Sequence, residues 1–308
     1  MKRILITGGA GFIGSHTVDL LLQQGLSVVV LDNLSSGKLS NLNLFHPNME
    51  LVKEDILNYP VLAKTVARCD AVLHLAAIPS VPQSMADPIQ THRVNSLGFL
   101  HVLEAIRQCQ RPIRLVYASS AAVYGNTEQL PCSDEKPLMD LPASPYALEK
   151  IQNEQYAELY SRLFGANALG LRYFNVYGLR QDAKSTYSGV ISRFMAGYKG
   201  KEPLLVFGDG KQSRDFVSVA DVAQANWLAL QSDYCGTANI ATGAAETLLN
   251  LLKYIESAGT EPALIHHAPA RQGDIYASYA TTNKAEQKFG FRYKVPLADG
   301  IKLMMAQK

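Results

Sequence analysis

The sequence is poor in the features that would mark a chain for a membrane, a nucleic acid or an oxidising compartment. No run approaches the roughly 18 consecutive apolar residues that a bilayer crossing needs. The opening "MKRILITGGAGFIGSH" has early charge and a short apolar run, but glycines break it before it could read as a signal peptide. With 29 basic and 27 acidic residues the net charge is +2, which offers no electrostatic reason for a nucleic-acid or membrane-surface partner. Cys69, Cys109, Cys132 and Cys235 are scattered without a C-x-x-C spacing, as expected of reduced thiols in a cytoplasmic protein. His266 and His267 are adjacent, so on a strand they would face opposite ways and could not share a metal. No metal site is expected. Repeats, low-complexity tracts and charge runs are also missing.

What is present is a long alternation. The 308 residues suffice for one large α/β domain or two closely joined ones. Short runs rich in β-formers lie at 3–8, 26–32, 71–77, 113–120 and 166–174. Their near-continuous hydrophobicity suits strands buried on both faces of a parallel sheet. Between them, helices are expected at 12–25, 60–69, 91–110 and 146–164. This alternation predicts a doubly wound parallel sheet of the Rossmann kind, with right-handed crossovers. After about residue 175 the pattern loosens, with helical patches at 188–199, 219–231 and 247–258 among short strands and Gly/Pro turns. That predicts a smaller α/β lobe over the carboxyl ends of the strands. The expected division is 1–175 with about 215–240 for the sheet domain, and 176–214 with 241–308 for the lobe.

"ITGGAGFIGSH" sets Gly8, Gly11 and Gly14 between the first strand and the first helix. Bare backbone there can approach a pyrophosphate at the positive end of the helix. Asp32, closing the second strand, can bind both adenosine ribose hydroxyls and repel a 2′-phosphate. Only Lys38 follows, some way downstream, so the expected cofactor is NAD rather than NADP. Asp55, after a third strand, is placed to bond the adenine amine, although a turn acid would look the same. "SPYALEK" puts Lys150 four residues after Tyr146, on one helical face.

"GGAGFIGSH", "SSAAVYG" (119–125) and "YALEK" (146–150) together resemble the extended short-chain dehydrogenase/reductase family, over essentially the whole chain. Within it, "DNLSSG" (32–37), "LRYFNVYG" (171–178), "SRDFVSVAD" (213–221) and "RQGD" (271–274) look most like the nucleotide-sugar 4-epimerases. The resemblance implies that Tyr146 is the catalytic acid/base, that Lys150 binds the nicotinamide ribose, and that Ser120 bridges sugar hydroxyl and phenol oxygen. It extends the cofactor contacts to Phe12, Ile13, Asn33, Ser35, Ser36 and Gly37. It adds Ile56, Leu75, Ala76, Ala77, Asn95 and Tyr173. A phenol normally loses its proton near pH 10. The Lys150 ammonium and the nicotinamide charge are both expected to lower that value.

The implied reaction is a transient oxidation. Tyr146 takes the proton of the sugar's 4-hydroxyl as hydride leaves C4; the 4-keto sugar turns over, and hydride returns to its other face. Elimination, as in the family's 4,6-dehydratases, would need an acid/base pair after Ser120, where this chain has Ala121 and Ala122. For the substrate, Arg214, Arg271 and Asp274 match positions that hold the UDP phosphates and ribose. Asn175, Ser80 and Ser84 are expected polar contacts. Ser278 stands where epimerases confined to UDP-glucose and UDP-galactose tend to carry a tyrosine, and so leaves room for a 2-acetamido group. The expectation is UDP-GlcNAc/UDP-GalNAc 4-epimerisation, with UDP-glucose/UDP-galactose as an additional pair. A UDP-glucuronate or UDP-pentose 4-epimerase, or a dinucleotide-binding sensor without turnover, stand as alternatives. The helices at 91–110 and 146–164 carry apolar stripes, and the resemblance implies a homodimer formed by pairing such helices.

Overall fold

A computed structural model of the chain describes residues 1–138, 140–182, 189–270 and 275–307. The strands of the first half are β1 (Arg3–Thr7), β2 (Ser27–Leu31), β3 (Met49–Val52), β4 (Ala71–His74), β5 (Arg114–Ser120) and β6 (Asn167–Tyr173). Between them run α1 (Phe12–Gln23), α2 (Tyr59–Ala67), the short α3 (Val81–Ala86) and α4 (Pro88–His92), α5 (Gly98–Gln108) and α6 (Pro145–Phe164). Beyond β7 (Asn175–Tyr177) come α7 (Val190–Lys199), β8 (Leu204–Phe207), β9 (Ser213–Arg214), β10 (Phe216–Ser218), α8 (Val219–Gln231) and β11 (Gly236–Ile240). The described chain closes with β12 (Glu246–Thr247), α9 (Leu248–Ala258), β13 (Ile265–Ala268), β14 (Ala277–Ser278), α10 (Asn283–Phe289) and α11 (Leu297–Ala306).

Seven strands form one sheet in the order β11-β6-β5-β4-β1-β2-β3, every pairing parallel. The expected doubly wound sheet is therefore present. Its middle strands are buried on both faces: Ile4, Leu5, Ile6, Leu73 and Val116 expose no surface. One face carries a core with Val18, Leu21, Val222 and Ala225; the other packs Leu62, Phe99, Val102 and Leu103. At ~25 cal/mol per Å² of apolar surface, each such side chain contributes about 1.5–3 kcal/mol. A third core, with Tyr177, Ile191, Phe194, Val206, Leu251 and Ile301, lies among α7, α9, α11 and β8.

Helix ends follow local chemistry. Ser144 caps α6 by accepting from the Ala147 amide, Pro145 occupies its first turn, and Gly165 closes it in the left-handed region at φ 69. The helix expected at 91–110 differs. It starts at Pro88, widens into a π-helical turn over Arg93–Leu97, and resumes at Gly98. The wider turn turns the Asn95 carbonyl toward Asn153 Nδ2, which donates to it at 3.0 Å. Among the described residues no helix is long and apolar enough to cross a membrane.

Candidate active site

Because all seven strands run the same way, their carboxyl ends share one edge, and a cavity of about 680 Å³ opens there. Gly8, Gly11, Phe12, Ile13, Gly14, Asp32, Asn33, Ser35, Ser36, Asp55, Ile56, Leu75, Ala76, Ala77 and Tyr173 line it. So do Ser120, Tyr146 and Lys150. Strand ends supply most of these: β1 leads to Gly8, β2 to Asp32, β4 to Leu75, and β5 ends on Ser120.

The glycine loop fits a dinucleotide. A Cβ on Gly14 would stand 2.2 Å from the Gly8 carbonyl, so strand and helix could not close as they do. A Cβ on Gly11 would meet only that carbonyl, at 3.2 Å, and would otherwise fill the cradle. Gly11 also begins α1 without a side chain to cap it, and the first turn carries no acid. Its amides and the helix dipole are thus presented to an anion.

Asp32 Oδ2 accepts from the Ala10 amide at 2.9 Å and Oδ1 from the Leu34 amide at 2.8 Å. Each oxygen keeps a further lone pair for a ribose hydroxyl. Gly37 does not line the cavity but packs behind this carboxylate: a Cβ there would reach 3.0 Å from both oxygens. Asp55 accepts from Asn33 Nδ2 and from the Leu57 amide, both at 2.8 Å.

Three expected contacts are placed otherwise. Asn95 is buried away from the cavity; it accepts from the Ile78 amide at 2.8 Å and donates to the Ile78 carbonyl at 3.1 Å and to Glu149 Oε2 at 2.7 Å. Both polar atoms of its amide are engaged by protein, and through them it shapes the Ile78 wall. The Ser80 hydroxyl caps α3 by accepting from the Gln83 amide. Ser84, fully buried, donates to the Val81 carbonyl at 2.7 Å and accepts from the Tyr146 amide at 3.2 Å. Both serines hold helices in place, and neither lines the cavity.

Asn175, Arg214 and Ser278 also lie outside the cavity lining, but they meet around one residue that sequence reasoning passed over. Asp215 is fully buried; its carboxylate accepts from the amides of Thr242 and Gly243 at 2.7 and 2.8 Å and from the Thr242 hydroxyl at 2.7 Å. Its own amide donates to the Ser278 carbonyl at 2.8 Å, and its carbonyl accepts from the Asn175 amide at 3.0 Å. Parallel pairing puts Ser278 in register with Arg214. Arg271 and Asp274 lie outside the described residues. Gln83, Gln90, Val94 and Gln181 line the cavity without having been singled out, since nothing in their type or spacing marks them.

The acidic phenol expected from the sequence is not what the protein alone provides. Burial pushes Tyr146 up to about 12; a hydrogen bond with Ser120 opposes this and the nearby Glu149 adds to it. Burial also lowers Lys150 to about 8, against the upward pull of Glu149 and Glu154. The Lys150 Nζ donates to the Ala118 carbonyl at 2.7 Å and lies 5.6 Å from the centre of the Tyr146 ring. Desolvation exceeds the attraction between cation and phenolate at that range.

The model of the NAD dependent epimerase/dehydratase family matches residues 4–241, well over half of the chain. The chain belongs to that family. NAD is therefore the cofactor, and this epimerase-type protein is an enzyme, an isomerase. It is 40% identical over 302 residues to a putative UDP-glucose 4-epimerase of Methanocaldococcus jannaschii, covering 97% of this chain and 96% of that one. A UDP-N-acetylglucosamine 4-epimerase structure from Methanobrevibacter ruminantium, with UDP-N-acetylmuramic acid, superposes with a TM-score of 0.93 at 36% identity, covering 100% and 99% of the two chains. The Thermus thermophilus UDP-glucose 4-epimerase, in complex with NAD, gives 0.88 at 37% identity, covering 98% and 97%.

Proposed function

We propose that this epimerase inverts C4 of a UDP-hexose and that UDP-GlcNAc and UDP-GalNAc are its principal pair, with UDP-glucose and UDP-galactose as a second. The observation that carries the reaction type is the gathering of Ser120, Tyr146 and Lys150 in one cavity with the glycine loop. Alanines follow Ser120, so no side chain there can move the protons that elimination requires. When bound, NAD⁺ supplies a hydride acceptor and a positively charged ring. Tyr146 takes the proton of the 4-hydroxyl on its phenol oxygen and later returns it to the oxygen on the inverted carbon. Ser120 orients that oxygen, and Lys150 presents a cation to the ribose and phenolate. With burial holding the phenol up to about 12, positive charge entering the cavity favours the deprotonated form.

The preference for N-acetylated sugars rests on the small Ser278, held beside Arg214 through Asp215. In this reading Arg214, Arg271 and Asp274 hold the diphosphate and ribose, and Asn175 lies on the sugar side. Residues 1–175 with about 215–240 bind NAD, and 176–214 with 241–308 bind the UDP-sugar. The direct test is incubation with UDP-GlcNAc, with and without added NAD⁺, followed by separation of the epimers, alongside UDP-glucose and UDP-glucuronate. UDP-GalNAc is the expected product. Turnover of UDP-glucuronate alone would replace this reading, and no epimer from any sugar would end it. Ser278→Tyr should abolish conversion of the N-acetylated pair and spare UDP-glucose; an unchanged preference would move the wall elsewhere.

The same reading includes a homodimer. Leu97, Leu148, Tyr156 and Leu159 are 36–45% exposed along α6 and the turn before α5, beside a groove of about 500 Å³. Light scattering should give twice the chain mass, and Leu159→Glu should reduce it to one chain.

A further inference from the structure

One buried acid in this structure has no part in the chemistry above. Glu149 is 2% exposed and sits on α6 between Tyr146, three residues before, and Lys150, one after. Its Oε2 accepts from Asn95 Nδ2 at 2.7 Å, while Oε1 is buried without a hydrogen-bond partner. A carboxylate taken from water with one oxygen unpartnered is costly unless an opposite charge compensates it. Lys150, the following residue, is buried as well at 3% exposed; it forms no ion pair with Glu149, so the two charges act on each other through space across the buried interior. The neutral end of the arrangement is also fixed, because Asn95 holds both the amide and the carbonyl of Ile78, a wall of the cavity.

We propose that Glu149 is a positioning residue: its carboxylate is the counter-charge that keeps Lys150 an ammonium in the cavity, and its bond to Asn95 locks α6 to the Ile78 wall. The inference rests on the epimerase reading only for its consequence on turnover. The groups that face Lys150 are few. On α6 they are Tyr146, Glu149 and Glu154, the last of which is paired with Arg172 of β6 at 2.7 Å. On β4 there is His74, which burial lowers to about 3 and so leaves uncharged near neutrality. On β5 there is the Ala118 carbonyl, which accepts from Nζ. Glu154 is already bound to an arginine, whereas Glu149 has no cation in contact with it and acts on Lys150 through space. That agrees with its place ahead of Glu154 among the influences that raise Lys150.

The test reads Lys150 itself. Full-length protein saturated with NAD⁺ and carrying lysine ¹³C-labelled at Cε is titrated by NMR, with Lys150→Met assigning the signal. Glu149→Gln keeps the shape and an acceptor for Asn95 but removes the charge. Its Lys150 midpoint should fall by at least one pH unit, about tenfold in proton affinity, and Glu149→Asp should restore most of it. The alkaline limb of turnover should move the same way. A midpoint shift without any sugar turnover would sink the epimerase reading and leave this inference standing. Equal midpoints in wild type and Glu149→Gln would overturn it. Should Glu149→Gln not fold, Glu149→Ser is read instead. Loss of folding in both, with Lys150→Met intact, would make Glu149 a packing residue and equally overturn the proposal.

Discussion

The carboxyl edge of the seven-stranded sheet and the cluster of short strands around Asp215 solve one problem by different means. At the sheet edge Gly8, Asp32 and Ser120 stand at the ends of strands with neighbours on both sides, so they are placed by the repeated strand–helix unit. Around Asp215, strands of two or three residues cannot hold themselves; its backbone amide ties on β14, and its buried carboxylate fastens the loop at 242–243 to the end of β9. Repetition distributes the work of positioning, whereas a hub concentrates it. Chemistry that must not drift sits on the first arrangement. The residues proposed above to choose a substrate sit on the second, where a local change would leave the sheet edge undisturbed.

The contrast can be broken by experiment. Tyr146→Phe should cut turnover about 10³-fold or more while leaving the thermal midpoint within a few degrees, since only the phenol oxygen is removed. A loss confined to KM would show that the sheet edge binds instead of reacting. Asp215→Ala should destabilise the protein by about 3 kcal/mol or more in urea unfolding, because several buried amides lose their acceptor together. If it unfolds no more readily than wild type, the hub is not one. The buried His74 gives a pH signature for the sheet side. Its folded value, lowered to about 3, lies below the ordinary 6.5. Stability from this group is complete above pH 6.5 and is lost as pH falls from there toward 3, by a few kcal/mol in all at ~1.4 kcal/mol per tenfold. His74→Gln should flatten that acid arm in melts taken at successive pH values. Least of all, Arg180→Ala removes the half-exposed pair with Asp19 at 2.7 Å, and calorimetry should register about 0.5 kcal/mol or less.

The same contrast decided what could be read in advance. Strands β1, β2, β4, β5 and β6 lie within the expected runs, and α6 runs Pro145–Phe164 against an expected 146–164, because burial on both faces and capping chemistry are written locally. The interruption at Arg93–Leu97 was not, since it depends on Asn95 meeting Asn153 and Ile78 from other elements. Ser80, Ser84 and Asn95 show the limit of residue type: each can bind a ligand or a backbone, and only the fold says which atom it faces. Asp215 stood in "SRDF" beside an arginine that drew attention. Its four acceptor contacts come from residues 27 to 65 positions away, beyond any local pattern. The upward pull of burial on the phenol is hidden for the same reason, as spacing gives the neighbour at Lys150 but not the depth of burial.

The side chain of Asp32 serves two masters at once, fastening the turn through Ala10 and Leu34 while Gly37 presses on it from behind. Re-engineering this protein toward the phosphorylated dinucleotide by removing that acid alone would orphan two amides and slacken the turn that any adenosine must rest against. Changing nucleotide taste here means rebuilding the turn from residue 32 to residue 37 as a unit.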